Sequence, residues 1–173
     1  MSADNAATGH AAPSFEAKIC APADIAKRIQ SLARPVVFTN GVFDILHRGH
    51  VTYLSRAKTL GDVLVVAVNG DASVRRLKGA SRPVNPLEDR LEVLAALSCV
   101  DHVVAFDADS PTELLRAARP DVYVKGGDYT RATLPEAPLV ESLGGAVSFL
   151  DYLEDRSTTG IIARIAAAPG APS

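Results

Sequence analysis

Hydrophobic positions along this chain fall into two alternating patterns. Runs rich in β-branched residues at 35–41 (PVVFTNG), 62–71 (DVLVVAVNGD), 101–106 (DHVVAF), 121–127 (DVYVKGG) and 146–153 (AVSFLDYL) are separated by segments long enough to be crossover helices. The runs are continuously apolar, without apolar/polar alternation, as strands are when helices cover both faces of their sheet. This predicts an α/β fold: a doubly wound, Rossmann-like, five-stranded parallel sheet with helices on both faces. Ahead of the first strand, Ile25, Ile29 and Leu32 recur at helical spacing and predict a short amphipathic helix over 23–33. Two further helix starts are marked by Asn85-Pro86-Leu87-Glu88 and Ser110-Pro111-Thr112-Glu113, each reading as a capping side chain, a proline at the first helical position and a glutamate soon after. The ends hold little that could be buried. The pattern therefore predicts a disordered tail over 1–22, one domain over 23–166 and a second disordered tail over 167–173.

Composition narrows the function classes. Of 173 residues, 47% are hydrophobic and 22% charged, the balance of a globular domain. Eighteen basic against twenty acidic residues give a net charge of -2, so no overall basic field exists to hold nucleic acid or an anionic membrane. An aromatic content of 5% without tryptophan argues further against nucleic acid. No apolar run approaches the roughly 20 residues of a membrane helix. Cys20 and Cys99 form no C-x-x-C pair and the N-terminus has no secretory character, which points to the cytoplasm. Four histidines with one close pair, and two cysteines, are too few for a zinc site; no metal is expected from protein side chains, and any metal arrives with a substrate.

In a doubly wound sheet, ligands sit beyond the carboxyl ends of the strands. The first strand ends in Thr39-Asn40-Gly41-Val42-Phe43-Asp44 and runs through His47-Arg48-Gly49-His50 into a helix. A helix beginning there brings His47 and His50 to one side, beside free amides at the positive helix end, while Gly49 lets a ligand approach the backbone. That arrangement suits a phosphate chain whose charge grows during reaction. No G-x-G-x-x-G follows a strand and no P-loop motif is present, so the phosphate site is of another kind. After the second strand, Asn69-Gly70-Asp71 leads to Arg75, Arg76, Lys78 and Arg82, of which Lys78 is placed to bring a point charge to a transferring phosphoryl group. Arg90 either faces the same crevice or pairs with a neighbouring carboxylate. Lys125-Gly126-Gly127-Asp128 lets a flat nucleobase or ribose lie on backbone, or is a plain turn. Ser157, Thr158 and Thr159 cap a last apolar helix, and the same hydroxyls and amides can bind phosphate.

The run from Gly41 to His50 resembles the cytidylyltransferase-like branch of the nucleotidyltransferases. Within it, Arg82-Pro83-Val84-Asn85 leading to Glu88-Asp89-Arg90, then Val124-Lys125-Gly126-Gly127-Asp128-Tyr129, then Ser157-Thr158-Thr159 before Ile161-Ile162, look like the heptose 1-phosphate adenylyltransferases. The resemblance covers 35–165. It implies transfer of AMP from ATP to D-glycero-β-D-manno-heptose 1-phosphate, giving ADP-heptose and pyrophosphate for lipopolysaccharide core biosynthesis, with Mg²⁺ accompanying ATP and a homodimer as the assembly. It assigns catalysis to His47, His50 and Lys78. Nucleotide contacts are implied for Thr39, Asn40, Gly41, Val42, Phe43, Gly49, Arg90, Lys125, Gly126, Asp128, Ser157, Thr158 and Thr159, and substrate contacts for Asp44, Asn69 and Asp71. Asp44 alternatively orders the loop, because an acid beside phosphates repels them unless it binds a metal or an amide. Many relatives carry a fused sugar kinase for which this chain has no room, so a separate kinase and phosphatase are expected to supply the substrate. Arg156 ahead of the Ser-Thr-Thr run and Gly160 after it depart slightly from the pattern and leave nucleotide choice open to a cytidylyltransferase acting on glycerol 3-phosphate or a similar alcohol phosphate. A non-catalytic nucleotide-binding regulator, which intact His47, His50 and Lys78 argue against, is a separate alternative.

Overall fold

The computed structural model describes residues 14–127, 129–151, 153 and 156–168. Its strands are β1 (Ile19–Cys20), β2 (Val36–Gly41), β3 (Val63–Asn69), β4 (His102–Phe106), β5 (Val122–Gly126) and β6 (Ala146–Leu150). All pair in parallel, in the order β1-β4-β3-β2-β5-β6. The five β-branched runs of the sequence are β2 to β6, and the sheet has a sixth strand that the sequence reading left in the tail. That strand is two residues long, too short to show a period, and is fixed by its register Ile19↔Val103 and Cys20↔Val104. Just before it Ser14–Lys18 forms a 3-10 turn, and Lys18 Nζ donates to the carbonyls of Leu97 and Val100 at 3.1 and 2.8 Å. The folded unit thus begins ahead of residue 23.

Helices α1 (Ile25–Gln30), α2 (Arg48–Lys58), α3 (Asp71–Lys78), α4 (Leu87–Ala95), α5 (Thr112–Ala118), α6 (Ala137–Ser142) and α7 (Thr158–Ala166) connect and cover the strands. One face of the sheet buries Val36, Phe38 and Val65 against Ile25 and Ile29 of α1, Leu115 of α5 and Val140 of α6. The other buries Val37, Leu64 and Val66 against Tyr53 and Leu54 of α2 and Leu94 of α4. β3, at the middle of both cores, is buried at every position, which explains its unbroken apolar sequence. The chain leaves β2 toward β3 and β4 on one side and returns to β5 and β6 on the other. That reversal opens a crevice at the carboxyl ends of β2 and β5.

The helix starts at α4 and α5 differ from expectation by one position. Pro86 and Pro111 are the N-cap residues, and no side chain caps either helix. Asn85 and Ser110 are used elsewhere: Asn85 Nδ2 donates to the Asp44 carbonyl at 2.6 Å, and Ser110 Oγ donates to Glu136 at 2.8 Å. Tertiary partners outcompete local caps for these side chains.

Candidate active site

The turn after β2 is built around Phe43, which holds a left-handed backbone (φ 48°), an uncommon state for a bulky residue and one found disproportionately at functional sites. Its buried ring meets the His50 ring edge-on at 5.2 Å. His50 in turn stacks on His47, with centroids 3.8 Å apart and planes 20° apart. The stack needs glycine at 49, because a Cβ there would lie 3.0 Å from the His47 ring and 3.2 Å from Arg156 Cβ. His47 is the N-cap of α2, so the amides of Arg48, Gly49 and His50 have no partner within the helix.

The N-terminus of α7 reaches the same turn. Ser157 caps it, accepting from the Gly160 amide at 3.0 Å, and Thr158 Oγ1 donates to the Ile45 carbonyl at 3.3 Å. Two positive helix ends therefore converge beside the stacked imidazoles. Burial, then the nearby Arg156 charge, lowers the His47 pKa. Burial, then His47, lowers that of His50 to about 4. Both rings are neutral at pH 7. A neutral imidazole still donates through one N–H, so the site is poised for an anion without carrying fixed imidazolium charge.

Around this centre lies a cleft of about 830 Å³. It is lined by the expected residues Asn40, Gly41, Val42, Phe43, Asp44, His47, His50, Asn69, Lys78, Lys125, Gly126, Ser157, Thr158 and Thr159. Asn40 Oδ1 accepts from Tyr123 Oη at 2.7 Å and Lys125 Nζ at 3.1 Å, and Lys125 lies 5.1 Å over the Tyr129 ring. Burial lowers the Lys125 pKa, with Glu136 opposing. Gly49 sits at the start of α2, behind the histidine rings. Asp128 lies outside the described residues.

Besides Gly49, three expected ligand contacts, Thr39, Asp71 and Arg90, do not line the cleft. Thr39 is fully buried and shares a 2.6 Å hydrogen bond with the Tyr53 hydroxyl, which donates to the Val124 carbonyl. Arg90, 2% exposed, donates to the carbonyls of Asn85, Val42 and Asn69 and to the Asp71 carboxylate, so Asp71 and Arg90 engage each other. Arg90 thus ties together the ends of two strands and the start of α4. Asn69 lines the cleft but spends its amide on Ser73. Asp44 follows the alternative weighed for it. Its carboxylate accepts from the amides of Val84 and Asn85 at 2.8 and 2.9 Å and from Arg82. Burial alone would raise its pKa, but those amides and the guanidinium outweigh burial and hold it below the ordinary value. The sequence reading also passed over Ser110, Thr133 and Glu136, which form the far wall at the starts of α5 and α6. Their only signal was position after a strand end.

Comparison with known proteins places these features. The family model described as cytidylyltransferase-like matches residues 38–163. A D-beta-D-heptose 1-phosphate adenylyltransferase of Bordetella bronchiseptica is 54% identical over 154 residues, covering 87% of this chain and 95% of that protein. The bifunctional protein HldE of Syntrophotalea carbinolica is 58% identical over 132 residues, 76% of this chain but 27% of that longer protein. Among solved structures, a lipopolysaccharide core biosynthesis protein from Thermoplasma volcanium matches with a TM-score of 0.56 and 32% identity over 70% of this chain and 98% of that one. A pantoate-beta-alanine ligase from Francisella tularensis (TM-score 0.54, 16% identity, 86% of this chain and 76% of that one) shares the fold.

Proposed function

The chain belongs to the cytidylyltransferase-like family, and from that premise we propose that it transfers AMP from ATP to D-glycero-β-D-manno-heptose 1-phosphate, forming ADP-heptose for lipopolysaccharide core biosynthesis. The observation that carries this reading is the convergence of two helix N-termini on the stacked His47–His50 pair, an anion site on a chain similar along most of its length to a heptose 1-phosphate adenylyltransferase.

The acceptor's phosphate is already anionic, so no general base is needed and catalysis consists of positioning and charge stabilisation. An oxygen of the sugar phosphate bonds to the α-phosphorus as the bond to the α,β-bridging oxygen breaks. Pyrophosphate leaves with the electron pair. His47 and His50 donate to α- and β-phosphate oxygens, Lys78 meets the charge that develops between them, and Ser157, Thr158 and Thr159 with their amides hold the leaving pyrophosphate. The adenosine lies toward Asn40, Lys125 and Gly126. Mg²⁺ arriving with ATP would offset the triphosphate charge; the Asp44 carboxylate beside the turn is committed to two amides and a guanidinium and is not free to hold it. Among the described residues no helix is long and apolar enough to cross a membrane. A cytoplasmic homodimer belongs to the same reading and rests on the family resemblance.

The test is pyrophosphate release by the full chain with Mg²⁺ and either ATP or CTP, against heptose 1-phosphate, glycerol 3-phosphate and phosphoethanolamine. Release with ATP and heptose 1-phosphate alone is expected. Release with CTP and a smaller alcohol phosphate overturns the substrate, and nucleotide binding without release overturns the reaction.

A further inference from the structure

Arg82, in the loop between α3 and α4, has no task in the mechanism above, yet it lines the cleft with a side chain only 14% exposed. Its Nε donates to Asp44, and among the described residues neither Nη has a protein acceptor. Neither Nη is among the buried polar atoms without partners, so the fork is reached by solvent on a residue that lines the cleft. Asp44 is itself pinned by the Val84 and Asn85 amides, so the guanidinium is held at its Nε edge and its outer fork is presented to a ligand. A planar fork of this kind matches phosphate oxygens, which a flexible ammonium such as Lys78 meets only as a point charge.

The topology says which phosphate this is. Arg82 follows β3, on one side of β2, whereas α7 with its pyrophosphate-binding hydroxyls follows β6, on the other. Both are fastened to the histidine turn, Arg82 through Asp44 and α7 through the Ile45 carbonyl. In-line displacement at the α-phosphorus places the entering and leaving oxygens on opposite sides of it. With pyrophosphate on the α7 side, the entering oxygen comes from the β3 side. We propose that Arg82 is the ligand for the phosphate of the incoming sugar phosphate, holding it on the β3 side of the cleft while its oxygen attacks. This rests on the nucleotidyl-transfer reading and adds to it a separate subsite for the acceptor.

Steady-state kinetics of the full chain with Arg82→Ala and Arg82→Lys, beside MgATP affinity measured by calorimetry without acceptor, test this. For Arg82→Ala the KM for heptose 1-phosphate rises about 10- to 100-fold, the size of a lost charge-assisted hydrogen bond, while MgATP affinity stays unchanged. Arg82→Lys recovers part of the loss. Inorganic phosphate, competing with heptose 1-phosphate in the unaltered protein, loses potency in both variants. A parallel fall in MgATP affinity in a variant that still melts cooperatively overturns the assignment, placing Arg82 on the nucleotide, and so does an unchanged KM for the acceptor. If Arg82→Ala does not fold, the same split between acceptor KM and MgATP affinity in Arg82→Lys decides. Should the unaltered protein use another alcohol phosphate instead of heptose 1-phosphate, the functional reading fails while the Arg82 comparison is read on that acceptor.

Discussion

His50 is packed where an imidazole is hard to charge, between the Phe43 edge and the His47 face. Its role as a preorganised donor predicts that His50→Ala lowers kcat by about 10²- to 10³-fold, with melting temperature measured alongside to show that the fold persists. The same packing makes stability depend on pH. Because the folded pKa of about 4 lies below the ordinary 6.5, the unfolded chain binds more protons between those values. The His50 contribution is therefore whole above pH 6.5 and lost as pH falls toward 4. The urea midpoint should drop between pH 7 and pH 5, and drop less in His50→Gln. Arg90 shows the limit of reading single residues from sequence. A cation one turn into a helix beside a crevice looks like a ligand, and only the fold reveals the three carbonyls and one carboxylate that consume it. His47 and His50 were legible because a spacing of three places two rings on one side of a helix start whatever surrounds it.

At the scale of elements, β3 could be read from the chain because burial on both faces writes itself as an unbroken apolar run, whereas β6, at the sheet edge and buried at no position, was legible only through its own apolar and aromatic residues. β1 could not, because a two-residue strand is set by its partner Val103–Val104 and not by its own pattern. The α4 and α5 starts were legible to within a residue, while the fate of Asn85 and Ser110 depended on distant partners, Asp44 and Glu136. Ser157 differs in that its cap is made, to the Gly160 amide. Ser157→Ala should cost about 0.5–2 kcal/mol in denaturant unfolding, and should also slow turnover if α7 holds the pyrophosphate. Leu54 of α2, wholly buried against the sheet, carries no chemistry. Leu54→Ala should destabilise the protein by about 2–5 kcal/mol without changing either KM in the protein that remains folded.

For the whole molecule, a net charge of -2 must coexist with two polyanionic substrates, and the fold reconciles them by concentrating helix ends and the cations Lys78, Arg82, Lys125 and Arg156 on one cleft. Binding there is linked to folding. MgATP at a hundredfold excess over its Kd should add about 2.7 kcal/mol of stability, which at this chain length raises the melting midpoint by about 2–4 °C per kcal/mol in calorimetry.

The attachments at Asp44 and Ile45 have a metric meaning. The loop bearing Arg82 and the helix bearing Thr158 hang from consecutive residues, so one peptide unit, about 3.8 Å between Cα atoms, acts as a ruler between the place where one phosphate enters and the place where another departs. Lengthening that ruler by a single inserted residue would leave each wall able to hold its own phosphate while moving them out of reach of a common phosphorus.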